Sequence, residues 1–190
     1  MIKYQEDKTI TSKDFSKQSL EECSFVSCTF ENCHFKEANL NQASFSSCCF
    51  KCCDFTLTKI DNCRFQDCRF EESKIIGLKF FKCDTRLFSI RLIGCVMQYC
   101  NFSDLNMKKT SFKGSKLREC YFTNVNLQQA DFGKTDLSST IFHNCNLCKA
   151  NFVDAINYFI DPKNNNLKGA KFSFPEAISL LEALEIKVNN

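Results

Sequence analysis

Histidine is almost missing from this 190-residue chain, which has two, and glycine is scarce at five. His34 and His143 are too far apart in the repeat described below to share a site, so neither general acid–base nor metal chemistry has a natural centre. Glycine-rich phosphate loops, G-x-S-x-G and H-E-x-x-H are absent, which removes the usual motifs of nucleotide binding, acyl transfer and zinc proteolysis. No apolar run approaches the ~18 residues of a membrane-spanning helix. The N-terminus, Met1-Ile2-Lys3-Tyr4-Gln5-Glu6-Asp7, is charged and lacks the apolar centre of a signal peptide. Net charge is only +3. These absences lead us to expect one cytoplasmic domain that is not an enzyme, needs no cofactor and has no membrane contact.

What the chain has instead is a period of five. Phe15, Leu20, Phe25, Phe30, Phe35, Leu40, Phe45, Phe50, Phe55, Ile60, Phe65, Phe70, Ile75 and Phe80 follow without a miss. A second run, shifted by two, goes from Leu87 and Leu92 through Met97, Phe102, Met107, Phe112 and Leu117 to Phe152. A helix would turn such a position by about 140° each time, and a flat strand would alternate its face. The period makes sense if each five-residue unit is one short side of a coil. Strand alternation then puts two residues inward per unit: the central one and the one two before it. That second position holds Cys23, Cys28, Cys33, Ala38, Ala43, Cys48, Cys53, Thr58, Cys63 and Cys68 in succession. A large residue beside a small one suits a narrow, densely packed interior.

The units Ala38-Asn39-Leu40, Val125-Asn126-Leu127, Ala130-Asp131-Phe132, Thr135-Asp136-Leu137, Cys145-Asn146-Leu147 and Ala150-Asn151-Phe152 resemble pentapeptide repeats. The resemblance implies an all-β solenoid: a right-handed quadrilateral β-helix, four units to a coil, with a short C-terminal α-helix. Residues 1–12 read as an N-terminal lead-in or cap, in which Ile10 is in phase. Residues 13–172 read as the β-helix, with a register break at 81–88 that is a bulge or a short loop. Residues 173–190 read as a capping or dimerisation helix and tail. There Ser173-Phe174-Pro175-Glu176 looks like a capping box, and Ala177, Ile178, Leu181 and Leu184 recur at helical spacing. The expected helix spans Pro175 to Leu184.

The 15 cysteines fit the repeat better than a disulfide or zinc framework, because most stand at the small inward position. Cys83 joins them if the first register runs one unit further. In Cys48-Cys49-Phe50-Lys51-Cys52-Cys53 only Cys49 and Cys52 point outward, short of the four ligands of structural zinc. No metal site is expected.

The first functional reading is a protein-binding rod. The resemblance extends to the members that protect DNA gyrase or topoisomerase and give quinolone resistance, and it implies a homodimer through Ile178, Leu181 and Leu184. Those members imitate duplex DNA with a negative stripe, whereas here acids and bases balance on three sides. The alternative is a structural rod, or one that binds anions or nucleic acid on the side of Phe25, Phe45 and Phe65. That side carries Arg64, Arg86, Lys108, Lys109 and Lys149 against Asp67; direct nucleic-acid contact ranks below the protein reading. The candidate partner patch is Leu57, Ile76, Val96 and Tyr99, with Lys36, Lys74, Lys116 and Arg118 as a rim around a gap at Gly77. Either this patch docks a partner, or Tyr99 folds down over Leu57 and Ile76 to seal the break.

Overall fold

Short parallel strands stack coil upon coil in the computed structural model, which describes residues 3–187. Phe25 lies over Phe45 and Phe45 over Phe65. Phe30, Phe50 and Phe70 repeat the relation on the next side. Side-chain contacts between successive coils join residues 20 apart, which is four five-residue units. The result is a four-sided parallel β-solenoid of about 8 turns. We number its faces by their central residues: first, Phe25, Phe45 and Phe65; second, Phe30, Phe50 and Phe70; third, Phe35, Phe55 and Ile75; fourth, Leu40, Ile60 and Phe80.

Each regular unit ends in a corner residue of positive φ, such as Ser27 at 51°, Asn32 at 53° and Gln42 at 59°. Asn, Asp and other polar residues tolerate this left-handed region best. The corner N–H still finds a partner one coil on; that of Ser27 donates to the Ser46 carbonyl at 2.8 Å.

Inside, like residues form columns. Phe15, Phe35 and Phe55 stack at 5.0 and 4.7 Å, and Phe112, Phe132 and Phe152 at 4.7 and 4.9 Å. Rings in adjacent columns meet edge to face, as Phe102 and Phe112 do at 88°. Both arrangements are favoured by the ring quadrupole. Burying each ring fully contributes about 1.5–3 kcal/mol.

The small inward position does more than save space. Thr58 Oγ1 donates to the Phe35 carbonyl at 2.7 Å, and Ser115 Oγ to the Leu92 carbonyl at 3.0 Å. Cys48, Cys53 and Cys95 point Sγ at the carbonyls of Phe25, Phe30 and Phe70 at 3.4, 3.3 and 3.4 Å. A thiol is thus a compact apolar filler with a weak donor for the central carbonyl of the preceding coil.

The register break is a short loop. Phe80–Lys82 forms a single 3-10 turn, Cys83 is buried beneath it, and the ladder resumes where the Ser89 N–H donates to the Phe65 carbonyl. Here the second run departs from expectation. Leu87 does not enter the core; it is 58% exposed. Half-buried Phe88 packs against the core instead, edge-on to Phe80 at 6.2 Å. The two inserted residues let the chain swing out before it rejoins.

At the N-terminus the ladder includes Ile10, in phase over Phe30: Tyr4–Glu6 pairs with Ser24–Val26, and Thr9–Thr11 with Thr29–Glu31. The C-terminal end departs from expectation. The C-terminal α-helix is short, Ile178–Glu182, with no side-chain cap and no fully buried residue. The Ser173 hydroxyl that would cap it accepts from the Asp154 N–H at 2.8 Å instead. Leu180, rather than Leu181, packs on the core. Met1, Ile2 and residues 188–190 lie outside the described residues.

Candidate functional site

Leu57 and Tyr99 occupy corners of the third face, with φ of 55° and 54°. Bulky side chains rarely adopt this conformation. Both corners are knit into the ladder: the Leu57 N–H donates to the Ile76 carbonyl at 2.8 Å, and the Tyr99 N–H to the Arg118 carbonyl at 3.2 Å. Leu57 and Tyr99 stand 56% and 52% exposed. Val96, 46% exposed, lies between Lys74 and Lys116 in the strand ladder, and Gln98 lies between Ile76 and Arg118. The sheet therefore brings the four patch residues onto one face.

One expectation about the patch needs correcting. The gap at Gly77 is covered: a Cβ built there would meet Leu57 Cδ2 at 2.9 Å, so Leu57 already lies across it. Apolar residues are exposed elsewhere as well. Tyr121 and Ile141, 41% and 48% exposed, are neighbours on the fourth face. Ile156, Phe159, Phe174, Leu181 and Ile186 are exposed in the C-terminal part. Tyr121 and Ile141 hold outward positions that the period of five already marks, so the sequence carried that signal. Of the rim, Lys74 pairs with Asp54 at 3.6 Å.

The basic side is less basic than its sequence. Asp84 accepts from Arg86 at 2.7 Å and from Arg64 at 3.2 Å. The Arg86 hydrogen bonds, followed by that of Arg64, hold the Asp84 carboxyl well below the usual range. Asp84 lies in the loop, outside the regular unit, which is why counting by units misses it. Lys108, Lys109 and Lys149 sit further along the same face. A ladder of amides lies there too: Asn126 Nδ2 to Asn106 Oδ1 at 3.0 Å and Asn146 Nδ2 to Asn126 Oδ1 at 3.2 Å.

Among the described residues no group of three or more His, Cys, Asp or Glu could hold a metal ion. Cys48 and Cys53 are buried while Cys49 and Cys52 reach solvent. His34 and His143 lie on different faces, at Asp14–His34–Asp54 and in the strand Ile141–His143. No helix is long and apolar enough to cross a membrane among the described residues.

Comparison with known families settles the class. The pentapeptide repeat region profile matches residues 23–93, and the profile for pentapeptide repeats in eight copies matches 85–124 and 115–154. The chain belongs to the pentapeptide-repeat family. Solved structures agree on the fold. A trypsin-treated form of QnrB1, a plasmid-mediated fluoroquinolone resistance protein, is 17% identical with a TM-score of 0.64; the match covers 98% of this chain and 100% of that one. HetL, a pentapeptide repeat protein involved in heterocyst differentiation regulation in the cyanobacterium Nostoc sp. strain PCC 7120, is 14% identical. Its TM-score is 0.57, over 89% of this chain and 84% of HetL. No curated protein sequence matches.

Proposed function

We propose that this family member is a non-catalytic scaffold that docks a partner protein through Leu57, Ile76, Val96 and Tyr99. The observation that carries the reading is that large apolar residues stand at these two corners, where most other units place a polar residue or glycine. Leu57 and Tyr99 both remain more than half exposed. A partner surface would recover that exposed apolar area. The cations around it favour a partner with acidic groups at its rim.

The fold shared with QnrB1 makes DNA gyrase or a related topoisomerase the first partner to try, with quinolone resistance as the phenotype. Balanced charge on three faces argues that contact would run through the patch rather than through imitation of DNA. The same likeness motivates a homodimer through the C-terminal segment, where Phe174 is 84% exposed. The setting proposed is the cytoplasm, which keeps thiols reduced.

Tyr99→Ser with Ile76→Ser tests the patch. Partner pull-down should weaken while the melting temperature stays nearly unchanged; a large drop in melting temperature would show the residues to be structural. Gyrase supercoiling with and without ciprofloxacin tests the specific partner, and no effect at micromolar protein would discard it. For the dimer, Leu181→Asp with Leu184→Asp should yield monomers by sedimentation, and a stable dimeric variant would place the interface elsewhere.

A further inference from the structure

The ladder of the fourth face opens beside the register break. Asn39 bridges to Lys59 and Lys79 bridges to Asn101, but no bridge joins Lys59 to Lys79 among the described residues. Along this face the central N–H normally donates to the next coil, from Leu20 to Asn39 O and from Leu40 to Lys59 O, both at 2.8 Å. The preceding N–H donates to the previous coil, from Lys59 to Ala38 O and from Asn101 to Leu78 O, both at 2.9 Å. The N–H groups of Ile60 and Lys79 have no such acceptor among the described residues. By the direction of the ladder both aim into one gap, from opposite sides. The cause is the 3-10 turn Phe80–Lys82, which draws the chain aside so that the Asn62 N–H bonds to Lys82 O at 2.8 Å.

A groove of about 290 Å³ lies over this gap, lined by Leu57, Lys59, Ile60, Gly77, Lys79 and Lys82 with Thr58 and Asp61. Asp61, its one lining carboxylate, is held by Lys82 at 3.0 Å. Lys59 and Lys79 have no carboxylate partner among the described residues. The groove therefore combines two uncommitted ammonium groups, two backbone donors turned toward one space, and an apolar wall at Leu57.

We propose that this groove binds a small oxyanion, a carboxylate or a phosphate group. Such a ligand would take both backbone N–H groups, as anions do in backbone nests, and charge-assisted hydrogen bonds from Lys59 and Lys79. Leu57 shields one side from water and strengthens those bonds. Its donors belong to the fourth face, and only its apolar wall, Leu57, is shared with the partner patch.

Amide NMR titration of the full chain with sodium phosphate and sodium acetate, against chloride at matched ionic strength, tests it. The Ile60 and Lys79 amide signals should shift and saturate, and the better of the two anions identifies the ligand class. Lys59→Gln with Lys79→Gln should weaken binding about tenfold or more, the scale of one charge-assisted bond, with an unchanged melting temperature. Shifts that fail to saturate, that chloride reproduces, or that appear equally at Lys108 and Lys109 would overturn the site. So would Ile60 and Lys79 amides that exchange as slowly as Leu40, since the gap would then be closed in solution.

Discussion

Raising the pH from 8 to 10 should destabilise this rod through its buried thiols. Burial pushes Cys48 from 9.0 up to about 11, and Cys53 and Cys95 up to about 12. In the unfolded chain these thiols titrate near ~8.5. Below that pH both states hold their protons and the stability is complete. Above it the unfolded chain binds fewer protons than the folded one, so stability falls. The loss continues until the pH passes the folded values. In that window each thiol approaches ~1.4 kcal/mol per pH unit. The three together amount to ~3–4 kcal/mol between pH 9 and 10, against a total of ~5–15 kcal/mol for a typical domain. Cys63, Cys68 and Cys83, also pushed up by burial, act in the same direction.

The assay is urea unfolding by circular dichroism at pH 8, 9 and 10. The comparison is a triple variant, Cys48→Ala, Cys53→Ser and Cys95→Ser. Ala43, Ser73 and Ser115 already occupy the same inward position in other units and are buried there, so the variant should fold. Lysines and tyrosines titrate alike in both proteins, and the difference in slope isolates the three thiols. The variant should lose ~3–4 kcal/mol less from pH 9 to 10. Equal slopes would refute the reasoning, because the thiols would then titrate alike in folded and unfolded chains.

Three further outcomes follow from the core and the corners. Phe50→Ala and Phe112→Ala each remove a fully buried ring and should cost about 3–5 kcal/mol in denaturant titration; an effect of surface size would mean the columns are misassigned. The Tyr158 hydroxyl is buried with no hydrogen-bond partner among the described residues, so Tyr158→Phe should leave the melting temperature unchanged or raise it, by up to about 1 kcal/mol of stability. Gly77 has φ of 75° and Leu57 lies over it; Gly77→Ala should cost about 1 kcal/mol, and a stabilising effect would show that Leu57 does not rest there.

The columns were legible because they depend on side-chain volume alone. Phe30, Phe50 and Phe70 recur every 20 residues, and burial follows from the spacing. The carbonyl that each inward thiol faces was not legible. Size explains Cys53 and Ala43 equally, and only the coil beneath shows that Cys53 has an acceptor in Phe30. Leu87 misled for a related reason. Its spacing to Leu92 matches the period, but the ladder restarts at Ser89, and a loop side chain goes where the backbone carries it. Asp84 was missed as a partner of Arg64 and Arg86 because its place in the loop depends on the same detour. The C-terminal helix was over-read: helical spacing at Ile178, Leu181 and Leu184 marks a face, while the length depends on a cap that Ser173 spends on Asp154. Leu57 and Tyr99 could be placed at corners from the repeat, but their left-handed backbone needed the dihedral angles.

A solenoid in perfect register leaves its backbone little to offer a ligand. Along a regular face the N–H groups are taken by the neighbouring coil or, like that of Ala38 on Phe35 O, within the unit's own turn, so recognition there must come from outward side chains. The break changes this. To rephase the chain, residues 80–88 take a 3-10 turn and a loop, and the neighbouring strand loses partners at Ile60 and Lys79. The Arg64–Asp84–Arg86 cluster forms in the same detour. Leu57 joins the two consequences, since it lines the opened groove on one side and belongs to the exposed patch on the other. The fourth-face column passes without interruption, Phe80 stacking on Phe102 at 4.7 Å, and on the first face Phe88 packs against the core where Leu87 turns out. The irregular surface therefore costs the interior little, and a binding site could change here while the rod beneath it stays the same.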